Sequence, residues 1–316
     1  MTVAEMASVV RKLMPYIAGA KKMHREELCA LLRPIARIMP APSSERRMSV
    51  VHTWLKYDGQ NSCYLDSLLT ALFHDDFPWV TKTLLRIKDS PLTPSLQRIF
   101  TLMRLPNLPA PLLARIVRLK LNDSFDDSEI DWLRNQCDPN DVLRVMNLPS
   151  DVRVKVTLSD GEQRKEKWAM NAFAIERERL ARGKKLNIGR MFPEFPLAHG
   201  SKALVTKARA LYIPVERAIH QVVNSRVVEK KLQTSVKGPS MLRIGSDELK
   251  LRAILVHNGK STQHGHYTAV IRRNKTWKLY DDMSNGEPKR IASSTKDLWS
   301  MEDGYISRNV AGFFYC

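Results

Sequence analysis

The sequence predicts an α+β fold in which a helical lobe and a sheet lobe form the two walls of a cleft. Two observations carry this. Apolar residues recur at helical spacing through the first half of the chain, and alternate at strand spacing through the second. Helices followed by strands, rather than helices alternating with strands, argue for segregated lobes instead of a parallel sheet.

Each element has its own warrant. Residues 1–39 carry Met6, Val10, Leu13 and Ile17, then Leu28, Leu32, Ile35 and Met39, at the spacing of two short helices. PAPSSERR (40–47) stops the second helix with Pro40 and Pro42 and reads as a linker. Residues 1–47 are therefore expected to be a helical extension, with the main domain over 48–316, divided into a helical lobe (48–150) and a mainly β lobe (151–316). From Cys63, Leu65, Leu68, Leu69, Leu72 and Phe73 form the stripe of a helix buried on one face, preceded by the N-cap types Asn61 and Ser62. Short helical segments broken by prolines follow over 82–148. Val152, Val154, Val156 and Leu158 then alternate with Arg153, Lys155 and Thr157, Asp160-Gly161 makes a turn, and a Lys/Arg-rich segment returns: a β-hairpin with a basic outer face. Further strands are expected over 210–216, 248–257, 265–273, 275–282 and 312–316.

Composition sets limits on function. At 316 residues the chain has room for one large domain plus an extension, and 43% hydrophobic with 27% charged residues is ordinary globular usage, which excludes fibrous and wholly disordered readings. No run of apolar residues is long enough for a membrane span, and the N-terminus lacks a signal-peptide h-region. No membrane partner is expected. Cys29, Cys63, Cys137 and Cys316 are widely spaced without a C-x-x-C pair, so free thiols in a reducing intracellular compartment, cytoplasmic or nuclear, are the simplest account.

The unusual quantity is charge, with 51 Lys plus Arg against 33 Asp plus Glu. The excess is uneven. Residues 51–150 hold 11 basic and 12 acidic side chains, whereas 151–250 hold 21 against 11. A nucleic acid or another anionic partner is therefore expected through residues 151–250, on a surface separate from the helical lobe.

Cys63 falls in the first turn of its helix, where free N–H groups and the helix dipole favour a thiolate. Its competing reading is a small core residue. A thiol nucleophile also needs a base held by a third group. HGHYTAVIRRNKTWKLYDD (264–282) supplies one by strand arithmetic: a two-residue turn at Arg273-Asn274 sets His266 opposite Asp281, with Cβ atoms roughly 4.5–5.5 Å apart. A three-residue loop would select Asp282 instead. A metal reading through His257, His264 and His266 is weaker, because no carboxylate stands in ligand spacing. Neither a metal nor a cofactor is expected. Tyr267 and Trp277 read as sheet packing.

These segments resemble a known family. QNSCYLDSLLTALFH (60–74) is similar to the cysteine box of the ubiquitin-specific proteases, its variant NSCYLDS being closest to that of the cylindromatosis deubiquitinase. LRAILVHNGKSTQHGHYTAVIRRNKTWKLYDDMS (251–284) resembles the family's histidine box, NQCDPNDVL (135–143) a degenerate form of its Gln-Gln-Asp-x-x-Glu-Phe-Leu helix, and VAGFFYC (310–316) its closing strand. The likeness runs from about residue 50 to residue 316. It implies a papain-like cysteine protease with a helical thumb and an antiparallel palm, which cleaves after the C-terminal Gly-Gly of ubiquitin or a ubiquitin-like protein. It further implies Cys63 as nucleophile, His266 as general base and then acid, Asp281 as the orienting acid and Asp282 as its neighbour.

The sequence departs from the family in two places. Asp58 stands where members usually carry an oxyanion-stabilising Asn, and an ionised carboxylate cannot donate a hydrogen bond. The Cys63 N–H, Gln60 or Asn61 would then take that role, and slow turnover is expected. The family's zinc-binding C-x-x-C pairs are absent and the basic hairpin stands in their place, so the fingers are expected to be short and metal-free.

Overall fold

In the computed structural model the described residues are 24, 54–57, 61–73, 96, 99, 103, 110–124, 137–146, 148, 152–223, 226–261, 264–284, 287–301 and 304–316. The expected helices of residues 1–39, the linker at 40–47, Asp58 and Gln60 lie outside them, as does much of the stretch from 82 to 136. Three helices make up the described part of the helical lobe: α1 (Cys63–Phe73), α2 (Ala110–Ser124) and α3 (Pro139–Met146). Strands then dominate, as the change of periodicity predicts.

α1 differs from expectation in its burial. The sequence presents one apolar stripe, yet all eleven residues are buried, Asp66, Ser67 and Thr70 included. Each of the three takes part in a hydrogen bond, Thr70 Oγ1 accepting the Leu55 N–H at 3.4 Å. The Ser62 hydroxyl donates to Asp66 Oδ2 at 2.6 Å, and Ser67 Oγ donates to the Cys63 carbonyl at 2.6 Å. These bonds offset part of the cost of enclosing polar side chains on a helix buried on every side.

The expected hairpin of β1 (Val152–Thr157) and β2 (Gln163–Trp168) forms, with Val152 opposite Trp168 and Gly161 at φ 89° in the turn. After α4 (Arg177–Ala181) and β3 (Leu186–Asn187), the strands β4 (Glu194–Pro196) and β5 (Lys202–Lys207) complete a four-stranded sheet in the order β2-β1-β5-β4. Its inner face carries Val152, Val154 and Val156 towards Phe173, Phe192 and Phe195, whose rings meet at centroid distances of 5.3–5.5 Å.

The chain continues through β6 (Leu211–Pro214), a separate ribbon of β7 (Ala218–Val223) and β8 (Arg226–Lys231), β9 (Val236–Lys237), β10 (Met241–Ile244), β11 (Asp247–Asn258), β12 (His266–Arg273), β13 (Thr276–Tyr280), β14 (Lys289–Ala292), α5 (Thr295–Trp299), α6 (Tyr305–Asn309) and β15 (Val310–Tyr315). The main sheet has the order β14-β13-β12-β11-β15-β6 and is antiparallel throughout. The strands expected over 210–216, 248–257, 265–273, 275–282 and 312–316 all lie in it. α1 packs on one of its faces. The alternating residues Ala253, Leu255, Tyr267, Ala269 and Ile271 share a core with α1, while Ile254, Val256 and Val270 turn to the opposite core. Among the described residues no helix is long and apolar enough to cross a membrane.

Buried cations tie the ribbon to the sheet. Arg217, 4% exposed, donates through its guanidinium to the carbonyls of Leu232, Thr234, Ser307 and Val310 at 2.7–3.0 Å. Burial lowers its pKa to about 10, which leaves it charged at neutral pH. Arg217→Met strands those carbonyls, so it is expected to cost roughly 2–4 kcal/mol, read as a lower urea midpoint at unchanged slope. A midpoint within error of wild type would show that the four bonds add nothing net.

Candidate active site

Three elements meet at Cys63. α1 presents the thiol at its first residue, 8% exposed, and β12, packed against α1, begins at His266. The backbone N–H groups of Tyr267, the next residue along, and of Tyr64 point at the sulfur. β13 ends at Tyr280, and the two residues that follow are Asp281 and Asp282. The structure thus gathers Cys63, His266, Asp281 and Asp282 in one place.

His266 Nε2 lies 2.8 Å from Asp281 Oδ1 and 3.3 Å from Asp282 Oδ1, of which only the first is a hydrogen bond. Asp281 Oδ1 also accepts the Met283 N–H at 3.0 Å, in a tight turn closed by Ser284 N–H to the Asp281 carbonyl. An ionised carboxylate only accepts, so Nε2 carries the proton in this bond and Nδ1 is left able to take one.

The turn arithmetic needs one correction. The two-residue turn is Asn274-Lys275, not Arg273-Asn274, with both residues at positive φ (49° and 66°), the conformation of a type I′ turn. Moving a two-residue turn by one position changes the sum of paired residue numbers by two. Parity is kept, so His266 and Asp281 remain on one face. They are not directly opposite, because the ladder stops at Ala269–Tyr280 and the chain turns before reaching Asp281.

The thiol also departs from expectation. Burial pushes the Cys63 thiol up to about 11, and the carboxylates of Asp282 and Asp66 push the same way. The two backbone N–H groups pull it down without overcoming the desolvation. At rest the group is a thiol, so attack by this sulfur would require a base to take its proton. Burial likewise raises Asp282, with the charge of Asp281 adding to the rise and His266 opposing it.

Of the other expected site residues, Asn61 is exposed just before the helix, and Asp58 and Gln60 lie outside the described residues. Among the described residues one group has metal-binding chemistry, His266 with Asp281 and Asp282. His257 and His264 are not part of it. His257 is buried against the Tyr267 ring at a centroid distance of 4.5 Å, and burial with the nearby Lys231 charge lowers its pKa to about 4. Gly265 explains the approach of this turn, since a Cβ there would fall 2.5 Å from both His257 Nε2 and the Asn258 carbonyl. Gly259 is enclosed in the same way.

A cleft of about 640 Å³ runs beside α3, with Asp138, Asp141, Arg177, Glu216, Arg217, Lys231, His257 and Tyr267 among its lining residues, while Cys63, His266, Asp281 and Asp282 do not line it. Asp138 is a site residue that residue-by-residue reading does not single out, although it lies within the segment 135–143. Its Oδ1 accepts the Asn140 N–H at 2.7 Å, Oδ2 accepts the Tyr267 hydroxyl at 3.3 Å, and burial raises its pKa to about 6. Tyr267 therefore packs in the sheet, as expected, and also joins α3 to the strand that carries His266. Lys231 is the second such residue. Its buried ammonium donates to the carbonyls of His257 (2.5 Å) and Gly259 (3.1 Å) and to Asn309 Oδ1 (2.9 Å), holding the entrance to the turn before His266. Lysine is usually a surface residue, so only the fold reveals this role.

Comparison with known proteins now defines the class. The sequence profile of ubiquitin carboxyl-terminal hydrolase matches residues 57–306, and the chain belongs to that family, in its ubiquitin-specific protease branch. It is a cysteine-type deubiquitinating enzyme. The fold is similar to that of a solved SAGA DUB module, Ubp8/Sgf11/Sus1/Sgf73 bound to monoubiquitin, at TM-score 0.54 and 12% identity over 92% of this chain and 74% of that one. A second SAGA DUB module of the same components, bound to ubiquitin aldehyde, aligns over 92% of this chain and 74% of that chain at TM-score 0.49 and 13% identity. No curated protein sequence matches the chain.

The raised thiol gives a direct expectation. A shift from 9.0 to about 11 cuts the thiolate fraction below pH 9 roughly 100-fold. Iodoacetamide alkylation of Cys63 without substrate, followed by peptide mass spectrometry, is expected to be slow at pH 7–8 and to climb through pH 10. A plateau reached by pH 7 would show a preformed thiolate.

Proposed function

We propose that Cys63, His266 and Asp281 form the catalytic triad of this deubiquitinase, acting on the bond after the C-terminal Gly-Gly of ubiquitin or a ubiquitin-like protein. The observation that carries the reading is the 2.8 Å bond from His266 Nε2 to Asp281, at the start of the strand whose next N–H reaches the Cys63 sulfur. Nδ1 of His266 takes the thiol proton as the sulfur adds to the scissile carbonyl. The protonated imidazole then gives that proton to the leaving amine, and the acyl-enzyme forms. Water attacks the thioester, His266 removes its proton, and the thiolate departs and is reprotonated. Asp281 fixes the tautomer and stabilises the imidazolium, and Asp282 supports it electrostatically.

Ubiquitin as partner is supported by the family and by the ubiquitin seen on the structurally similar SAGA modules. The cleft is lined by the acids Asp138, Asp141 and Glu216 and by the cations Arg177, Arg217 and Lys231, so its formal charge is balanced. The four-stranded sheet of β1, β2, β4 and β5 stands for short, zinc-free fingers, supported by the lack of cysteine between Cys137 and Cys316. The oxyanion falls to the Cys63 N–H and Asn61, and slow turnover follows if Asp58 replaces a donor. The likeness of NSCYLDS to the cylindromatosis-type box belongs to the same reading. Free thiols at Cys63, Cys137 and Cys316 support an intracellular setting.

A ubiquitin vinyl-sulfone probe is expected to label wild type and not Cys63→Ala. On a ubiquitin–aminoluciferin substrate, His266→Ala is expected to lower kcat by about 10²–10⁴, and Asp281→Asn to cost more than Asp282→Asn. Equal labelling of Cys63→Ala, or the reverse order of the two aspartates, would overturn the assignment. Binding of ubiquitin without hydrolysis by wild type would make the chain a holder of ubiquitin.

A further inference from the structure

The outer face of the four-stranded sheet places like charges side by side. Arg153 stands directly opposite Lys167 on one neighbour and Lys207 on the other, so three cations form one rung across β2, β1 and β5. In the next rung on this face Lys155 stands opposite Lys165. Neighbouring strands are about 4.8 Å apart, and residues two apart on a strand about 6.7 Å. Like charges directly opposed on a sheet destabilise it.

Soluble surfaces normally intersperse charges of both signs. Among the described residues this face has one carboxylate in the ladder, Glu194, and it is already paired with Lys202 at 2.9 Å. Glu166 sits opposite Val154, on the inner side, and Glu162 is paired with Arg164. Arg153, Lys165 and Lys167 are exposed, Lys155 and Lys207 half-buried. None of the five lines the cleft.

We propose that this face binds the phosphate backbone of duplex nucleic acid without reading its sequence. Closely spaced cations without compensating acids fit a dense linear array of phosphates. The outer positions of this ladder contain no aromatic residue, so there is no platform for stacking single-stranded bases. Leu204, 38% exposed, is their one large apolar residue, too little to anchor a membrane surface or an acidic peptide. The inference is independent of the cysteine chemistry.

The test is fluorescence anisotropy of a labelled 20-bp duplex against the full chain, from 50 to 200 mM NaCl. With three to five phosphates neutralised, the slope of log K against log salt is expected near −3 to −4.5, a loss of about 40- to 500-fold across that range. Lys155→Gln/Lys165→Gln is expected to flatten the slope by about 2. Its unfolding temperature should not fall, since two opposed charges are relieved. Lys184→Gln/Lys185→Gln, off this face and with the same change of net charge, is expected to leave the slope unchanged. Any of four results overturns the proposal: no duplex binding by wild type at 50 mM NaCl, an unchanged slope in the first variant, equal flattening in both variants, or tighter capture of polyglutamate or phosphatidylserine vesicles by the same lysines.

Discussion

The site depends on the packing of α1 against β12. A helix enclosed on every side has a fixed axis, and its first residue has a fixed position. β12 is central in the main sheet, paired on both edges, so its first residue is equally constrained. Cys63 and His266 are each the first residue of such an element. Their positions are therefore set by the two cores that sandwich the sheet, and the loops on either side only have to deliver the smaller parts. This is a sturdier arrangement than a site assembled from loops, because shifting either residue means repacking a helix whose eleven residues are all buried.

The same burial creates the chemical problem the site must solve. Enclosing Cys63 raises its pKa, and the helix start that favours a thiolate in a solvated setting is outweighed by desolvation and two nearby carboxylates. Two consequences follow. The resting thiol is protected from casual alkylation and oxidation, since the thiolate is the reactive form. In the proposed triad it attacks only as a base removes its proton in the same event, which is the task proposed for His266 held by Asp281. The Asp281 carboxylate serves two donors at once, the imidazole and the Met283 N–H, so its direction is fixed before any substrate arrives.

Much of this was legible in the sequence, for physical reasons that also explain what was not. Strand alternation has a period of two, so an error of one in locating the Asn274-Lys275 turn left His266 and Asp281 on the same face. β1–β2 was readable because its valines face a core and its turn carries a glycine at positive φ. The β7–β8 ribbon was not. Val222 and Val227 are 75% and 70% exposed, so no buried face imposed an alternation on AIHQVV and RVVEKK. Arg217 and Lys231 escaped for a related reason. Their burial is stabilised by carbonyls from four later segments, and composition counts them only as surface charge.

The distribution of charge completes the argument. A net +18 spread evenly would weaken the grip of the cleft on any positively charged tail. The fold instead leaves the cleft balanced. Asp138, Asp141 and Glu216 stand against Arg177, Arg217 and Lys231, with Arg217 engaged by backbone carbonyls and Lys231 by carbonyls and Asn309 Oδ1. The uncompensated cations stand on the outer face of a different sheet, across an aromatic core from the main one. Coulomb interactions between exposed charges fade within about 8–10 Å at physiological salt. Separation by a packed core therefore lets one chain hold a charge-balanced cleft and a face suited to phosphates, with little cost of either to the other.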